Sequence, residues 1–146
     1  MKKGFTLIEV LIVIFIIGLL ASVVLIGLGS FRARGRDARR AADLRSIQHA
    51  LELYYGKSGS YPVLNWAGLK TELVSADIGV TVVPDDPASG QSYQYGSNSQ
   101  SYVLGAKLED KNNQLLRDDF DGGPGSDTFE VNCGDPANDE YYCIKF

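Results

Sequence analysis

Twenty-two uncharged residues run without a break from Val10 to Phe31, and they limit what the rest of the chain can be. Between Phe5 and Phe31 the single charge is Glu9. At about 1.5 Å per residue, residues 5–31 make a helix of about 40 Å, enough to cross a bilayer. An ordinary secretory signal has an apolar run of about 7–15 residues, closed by a small-residue cleavage site. This run is longer, and no such site closes it. The small residue, Gly4, comes before the run instead. A carboxylate within such a span costs about 2.5–3.5 kcal/mol at the bilayer centre and less near an end. Glu9 therefore needs a partner, and the chain offers no cation close by.

The residues around that carboxylate are specific. Lys2 and Lys3 precede Gly4-Phe5-Thr6-Leu7-Ile8-Glu9-Val10. This stretch resembles the processing site of type IV pilins and type II secretion pseudopilins. The resemblance implies that a membrane-embedded prepilin peptidase cuts between Gly4 and Phe5, and that the new Phe5 amine is N-methylated. It also implies that Glu9 docks against the N-terminal amine of a neighbouring subunit. A poorly solvated amine and carboxylate attract strongly in a low dielectric, so a costly membrane charge becomes a docking signal. The alternative is a plain signal anchor with a stray acidic residue.

On this reading the chain divides into a leader (1–4), a transmembrane and filament-core helix (5–31), an amphipathic continuation of that helix (32–55) and a globular domain (56–146). The expected fold class is α+β: a long N-terminal helix packed on a small antiparallel sheet. A domain of that size buries a modest core and is often helped by a staple. Residues 32–45 hold Arg32, Arg34, Arg36, Arg39, Arg40 and Arg45 against Asp37 and Asp43, a balance of +4. From Ser46 onward, six lysines or arginines face fifteen acidic residues, a balance of −9. An acidic domain argues against a nucleic-acid-binding face there. The positive-inside rule would put the arginine flank in the cytoplasm, opposite to the pilin-like orientation. The processing motif outweighs that count, because the nearby aspartates and the acidic domain can neutralise the arginines. The arginines read equally well as a solvated or lipid-headgroup collar and as inter-subunit pairing groups.

Within the apolar half, Gly18, Gly27 and Gly29 allow close helix packing, or local melting on entry into a filament. Ala41, Leu44, Ile47, Leu51 and Tyr54 then recur at three- and four-residue steps, the mark of one apolar stripe. Gly56 is expected to end the helix, with turn chemistry from Lys57 to Pro62. The single histidine, His49, reads as a helix-surface residue. Trp66, Leu69 and Leu73 predict a short helix, and residues 78–83 a short extended segment broken by Pro84-Asp85-Asp86-Pro87. Strands are expected at 92–95 and 101–108, joined by a hairpin connection at 96–100, and further short strands at 129–131 and 141–144. The aromatic residues there are expected to pack rather than to stack on nucleic acid. The sequence carries no nucleophile motif, phosphate loop or zinc spacing, so no enzymatic activity is expected.

Two cysteines in an exported domain favour a Cys133–Cys143 disulfide, as similar C-terminal pairs staple many pilins. Two free buried thiols are the alternative. Asp118, Asp119, Asp121, Asp127 and Glu130 crowd thirteen residues rich in glycine. The favoured reading is a solvated acidic turn whose aspartates cap backbone amides. The alternative is an irregular calcium site, since major pseudopilins resemble this plan; an EF-hand alignment fails, because it puts Arg117 and Thr128 at ligand positions. No other cofactor is expected.

The resemblance implies a structural subunit of a type IV pilus that polymerises through its N-terminal helix into a surface filament. Its expected partners are further copies of itself, the prepilin peptidase, the assembly machinery and, before assembly, the cytoplasmic membrane, which it crosses once. A major pseudopilin of a type II secretion system is the first alternative. A membrane-anchored binding module that never polymerises is the second.

Overall fold

The computed structural model describes residues 4–117, 119–120, 131, 133 and 140–146, with the backbone alone for 23–28. It divides into two compact units, Met1–Ala33 and Arg34–Phe146. One helix, α1 (Leu7–Ser58), contributes to both.

In the first unit the apolar side chains face outward all round the helix. Leu11 is 55% exposed, Phe15 68% and Leu20 60%. Among the described residues no helix is both long and apolar enough to cross a membrane. The side chains of 23–28, which fall inside the expected apolar run, lie outside those residues.

The second unit has the expected α+β class. The stripe on α1 is its spine: Ala41, Leu44, Ile47 and Leu51 are buried, joined by Ala50, with Tyr54 half-buried beside them. The helix outlasts Gly56 and ends at Ser58. Gly59 takes a φ of 73°, and its amide donates to the Tyr55 carbonyl at 2.7 Å. The left-handed residue that closes a helix is most cheaply a glycine, so Gly59 is the stop and Gly56 an interior residue. A second helix, α2 (Trp66–Ser75), forms where expected and buries Leu69 and Leu73. Asn65 caps it, its side-chain oxygen accepting the Gly68 amide at 2.8 Å. Residues 80–86 run without helix or strand, and Val83 is buried.

Three antiparallel strands follow: β1 (Gln94–Ser97), β2 (Tyr102–Lys107) and β3 (Tyr141–Lys145), in that order across the sheet. The first starts two residues later than expected, because Gln94 pairs with Gly105 and Ser97 with Tyr102. Asn98 shapes the hairpin, its side-chain oxygen accepting the amides of Gln100 and Ser101. The expected strand at 129–131 falls mostly outside the described residues. Val131 itself lies outside any strand, and Gln114–Arg117 forms a short 3-10 helix.

β2 is the middle strand, buried from Tyr102 to Ala106. Gly105 sits opposite Cys143. A Cβ at position 105 would come within 3.0 Å of Val131 Cγ1 and 3.3–3.4 Å of both cysteine sulfurs. A glycine here leaves the room in which the Cys133–Cys143 disulfide lies, both residues being buried and their Cα atoms 5.9 Å apart.

Candidate functional site

Two groups of residues carry the chemistry singled out by the sequence: the start of α1 and the arginine row. At the start, Gly4 and Phe5 precede the helix and are exposed, Phe5 by 89%. The bond between them is therefore open to a protease. Thr6 and Glu9 form a capping box. The Thr6 amide donates to Glu9 Oε2 at 2.8 Å, and the Glu9 amide donates to the Thr6 hydroxyl at 3.4 Å. The Thr6 hydroxyl also donates to Oε2 at 2.7 Å. Glu9 thus has a local role that its spacing from Thr6 encodes and that sequence reasoning missed. Both carboxylate bonds fall on Oε2, and among the described residues Oε1 accepts none.

The arginine row does something other than face solvent. Arg40 is fully buried, as is Asp37 one turn before it. The Arg40 guanidinium grips Asp86 with two bonds, from Nε at 2.7 Å and Nη2 at 2.8 Å. Its Nη1 donates to Asp37 at 2.7 Å and to Glu109 at 2.9 Å. Asp37 in turn accepts the backbone amides of Glu109 and Asp110, both at 3.0 Å. Glu109 also takes a bidentate pair from Arg36, and Arg34 Nε reaches Asp110 at 3.1 Å. Further along the helix Arg39 lies 3.7 Å from Asp43. The planar guanidinium fork matches such carboxylate geometry better than an ammonium would.

Electrostatics follow the contacts. Hydrogen bonding to Asp86 holds Arg40 more firmly protonated than usual, with Glu109 and Asp37 adding to it. The Arg36 hydrogen bond, aided by Arg40, brings the Glu109 carboxyl down to about 2. Four of the six arginines therefore have partners within the chain, and burial corrects the solvated-collar expectation for Arg40. Charge runs are usually solvated; here the partners arrive from 46 and 69 residues further on for Arg40. Arg34 and Arg39 keep exposed side chains despite their pairs, and Arg32 and Arg45 are exposed as well.

Tyrosines from the sheet and its flanking loops also bond the rest of the unit, three of them to the same helix. Tyr93 donates to Asp43 at 2.7 Å, and Tyr102 and Tyr61 to Glu52 at 3.0 and 3.1 Å. Tyr95 donates to the Pro62 carbonyl at 2.7 Å. Buried hydroxyls with partners are what a core built on tyrosine requires. Burial, with Glu52 beside it, pushes Tyr61 up to about 12, and burial, opposed by a hydrogen bond with Ser97, carries Tyr95 to about 12 as well. The expected packing role of these aromatics holds, with Tyr102 stacked on Phe146 at 6.0 Å between ring centroids. His49 is exposed on the helix, as expected.

Of the candidate calcium ligands, Asp118, Asp121, Asp127 and Glu130 lie outside the described residues. Asp119 is described, and its Oδ2 accepts the Cys143 amide at 2.8 Å, tying it to β3. Among the described residues no cluster of metal-binding side chains occurs.

Known proteins agree with the helix start. Residues 1–25 match the family model described as the prokaryotic N-terminal methylation motif. Type II secretion system core protein G of Escherichia coli K12 is 34% identical over 64 residues, 44% of each chain. Core protein G of Klebsiella michiganensis is 26% identical over 137 residues, covering 86% of this chain and 89% of that one. The type IV major pilin protein PilA of Myxococcus xanthus is 26% identical over 117 residues, covering 67% and 53%. The chain thus spans less than half the length of the Escherichia coli relative, and about half that of the pilin. No solved structure matches the chain. With the methylation motif at its start and relatives of both kinds along its length, the chain is similar to type IV pilins and type II secretion pseudopilins.

Proposed function

We propose that this chain is a filament subunit that waits in the cytoplasmic membrane, anchored by the first half of α1, and polymerises through that half after cleavage between Gly4 and Phe5. The observation that carries the reading is the outward display of apolar side chains from Leu7 to Leu20 on a helix that opens with Glu9. Such a surface needs lipid or other helices around it. The subunit works by assembly, not catalysis, with copies of itself, the prepilin peptidase and a membrane assembly machine as partners.

The relatives lend more weight to the secretion pseudopilus, because core protein G aligns over nearly the whole chain. The type IV pilus stands as the second reading, on the match to PilA. Deleting the gene in its host and imaging tagged filaments separates them. Short periplasmic fibres with a secretion defect are expected; long extracellular fibres built of this chain would move the assignment to the pilus. A chain found only as a membrane-bound monomer would end both and leave a non-polymerising binding module.

Glu9→Gln is the sharper variant for the docking role. Glutamine keeps an oxygen for the capping box but removes the charge. Helix content should be unchanged, while filament yield falls at least about tenfold, the loss of one strong ion pair. Normal yield from Glu9→Gln would refute docking through the charge.

A further inference from the structure

α1 changes the way it is held at one place. From Ala41 to Tyr54 an apolar stripe packs into the core. From Arg34 to Arg40 the side-chain contacts that reach it from outside the helix, among the described residues, are ion pairs and hydrogen bonds to Asp37, and they come from two connectors. One is the loop at Asp86, whose Oδ1 also accepts the Ala88 amide at 2.8 Å. The other is Glu109–Asp110, just past β2. The second compact unit begins at Arg34, the first residue so held.

This segment needs holding. Gly27, Gly29 and Gly35 fall within nine residues, and each costs about 1 kcal/mol of helix propensity relative to alanine. A Cβ at Gly29 or Gly35 would meet nothing within 4 Å, so packing within the chain does not explain those glycines. Weak helix residues therefore lie beside, and inside, a buried ionic grip.

We propose that Asp37, Arg40, Asp86 and Glu109, with the outer pairs from Arg34 and Arg36, form a stop: fraying, bending or stretching of α1 that starts at its glycine-rich stretch ends at the clamp and does not reach the core. The clamp fixes where the adjustable part of the helix finishes. It acts through geometry as well as charge. Asp37 accepts two adjacent backbone amides from the connector, so pulling the helix end away breaks bonds to donors whose positions the main chain fixes. Burial keeps water from competing for Arg40, so its bonds act as a set rather than one by one.

Amide hydrogen exchange on the full chain in detergent micelles, resolved by residue, tests this. In the unaltered protein, amides 38–43 should exchange within about tenfold of amides 47–51, because they belong to the same opening unit. The double variant Arg34→Gln/Arg36→Gln removes only exposed pairs and should fold. It should speed exchange at 34–40 by about tenfold, with amides 47–51 and 102–106 changed by less than about threefold. Asp37→Asn should extend the fast region to about residue 43. A uniform rise through α1 and β2 would mean a general stability effect and overturn the stop. So would unchanged exchange at 34–40 in both variants, or fast exchange at 38–43 in the unaltered protein.

Discussion

Leu11 and Leu44 sit on the same helix, one 55% exposed and the other fully buried. Around Leu11 every face of the helix is apolar, so no face is marked out for a core, and the surface is complete only with surroundings the monomer lacks. Around Leu44 one stripe is apolar and the rest polar, which points a single face at the sheet. The difference teaches that helix length and apolar content do not by themselves locate a core. The core forms where apolar residues are rationed to one face.

The largest effect should come from the junction of these two regimes. Arg40→Ala leaves Asp37 and Asp86 buried without their shared cation, and should cost about 3–5 kcal/mol in urea unfolding of the second unit, followed by near-UV circular dichroism. A loss under about 1 kcal/mol would show that water enters and solvates those carboxylates. Next, Leu44→Ala should cost about 2–5 kcal/mol and Leu11→Ala no more than about 0.5 in the same measurement on detergent-solubilised protein. Equal effects would erase the contrast between the halves of the helix.

A smaller effect is expected from reducing the Cys133–Cys143 disulfide. It closes a loop spanning ten residues in sequence, and its loss should cost about 2–3 kcal/mol in the chain-entropy account. The loss should be seen in the sheet unit, with helix content of the first half unchanged. Gly105→Ala should weaken the same corner by about 1–2 kcal/mol, because the added methyl meets Val131 and the two sulfurs.

The smallest concerns acid. Glu109 titrates at about 2 in the fold against an ordinary 4.5, so its pairing contributes fully above pH 4.5. That contribution fades as pH falls from about 4.5 to about 2, while Arg36 and Arg40 keep their charge. The Glu109 side chain is 32% exposed, so solvent screening should hold the effect to under about 1 kcal/mol. Glu109→Gln should remove that part of the acid-side slope; an unchanged slope would assign it to other carboxylates.

What the chain displayed in its sequence was what rests on local periodicity. The stripe from Ala41 to Tyr54, the helix at Trp66 and the existence of the β1–β2 hairpin are each written in neighbouring residues, whereas the start of β1 at Gln94 rather than Ser92 is not. The place where α1 ends was missed because two glycines compete, and only the backbone turn at Gly59 distinguishes them. The buried pair Asp37–Arg40 was hidden for a different reason. In sequence it looks like any solvated charge run, since Asp86 and Glu109 meet it only after the sheet has formed. The capping box is legible directly, from a threonine three residues before a glutamate.

The capping bonds of Glu9 bear on the docking proposed for it. A carboxylate with both oxygens idle would tug at whatever polar group came near, water and headgroups included. With Oε2 committed to Thr6, Glu9 behaves instead as a socket with one pin already seated. In the proposed docking, an amine would engage Oε1 while the helix start keeps its own bonds, so attachment and local order need not compete.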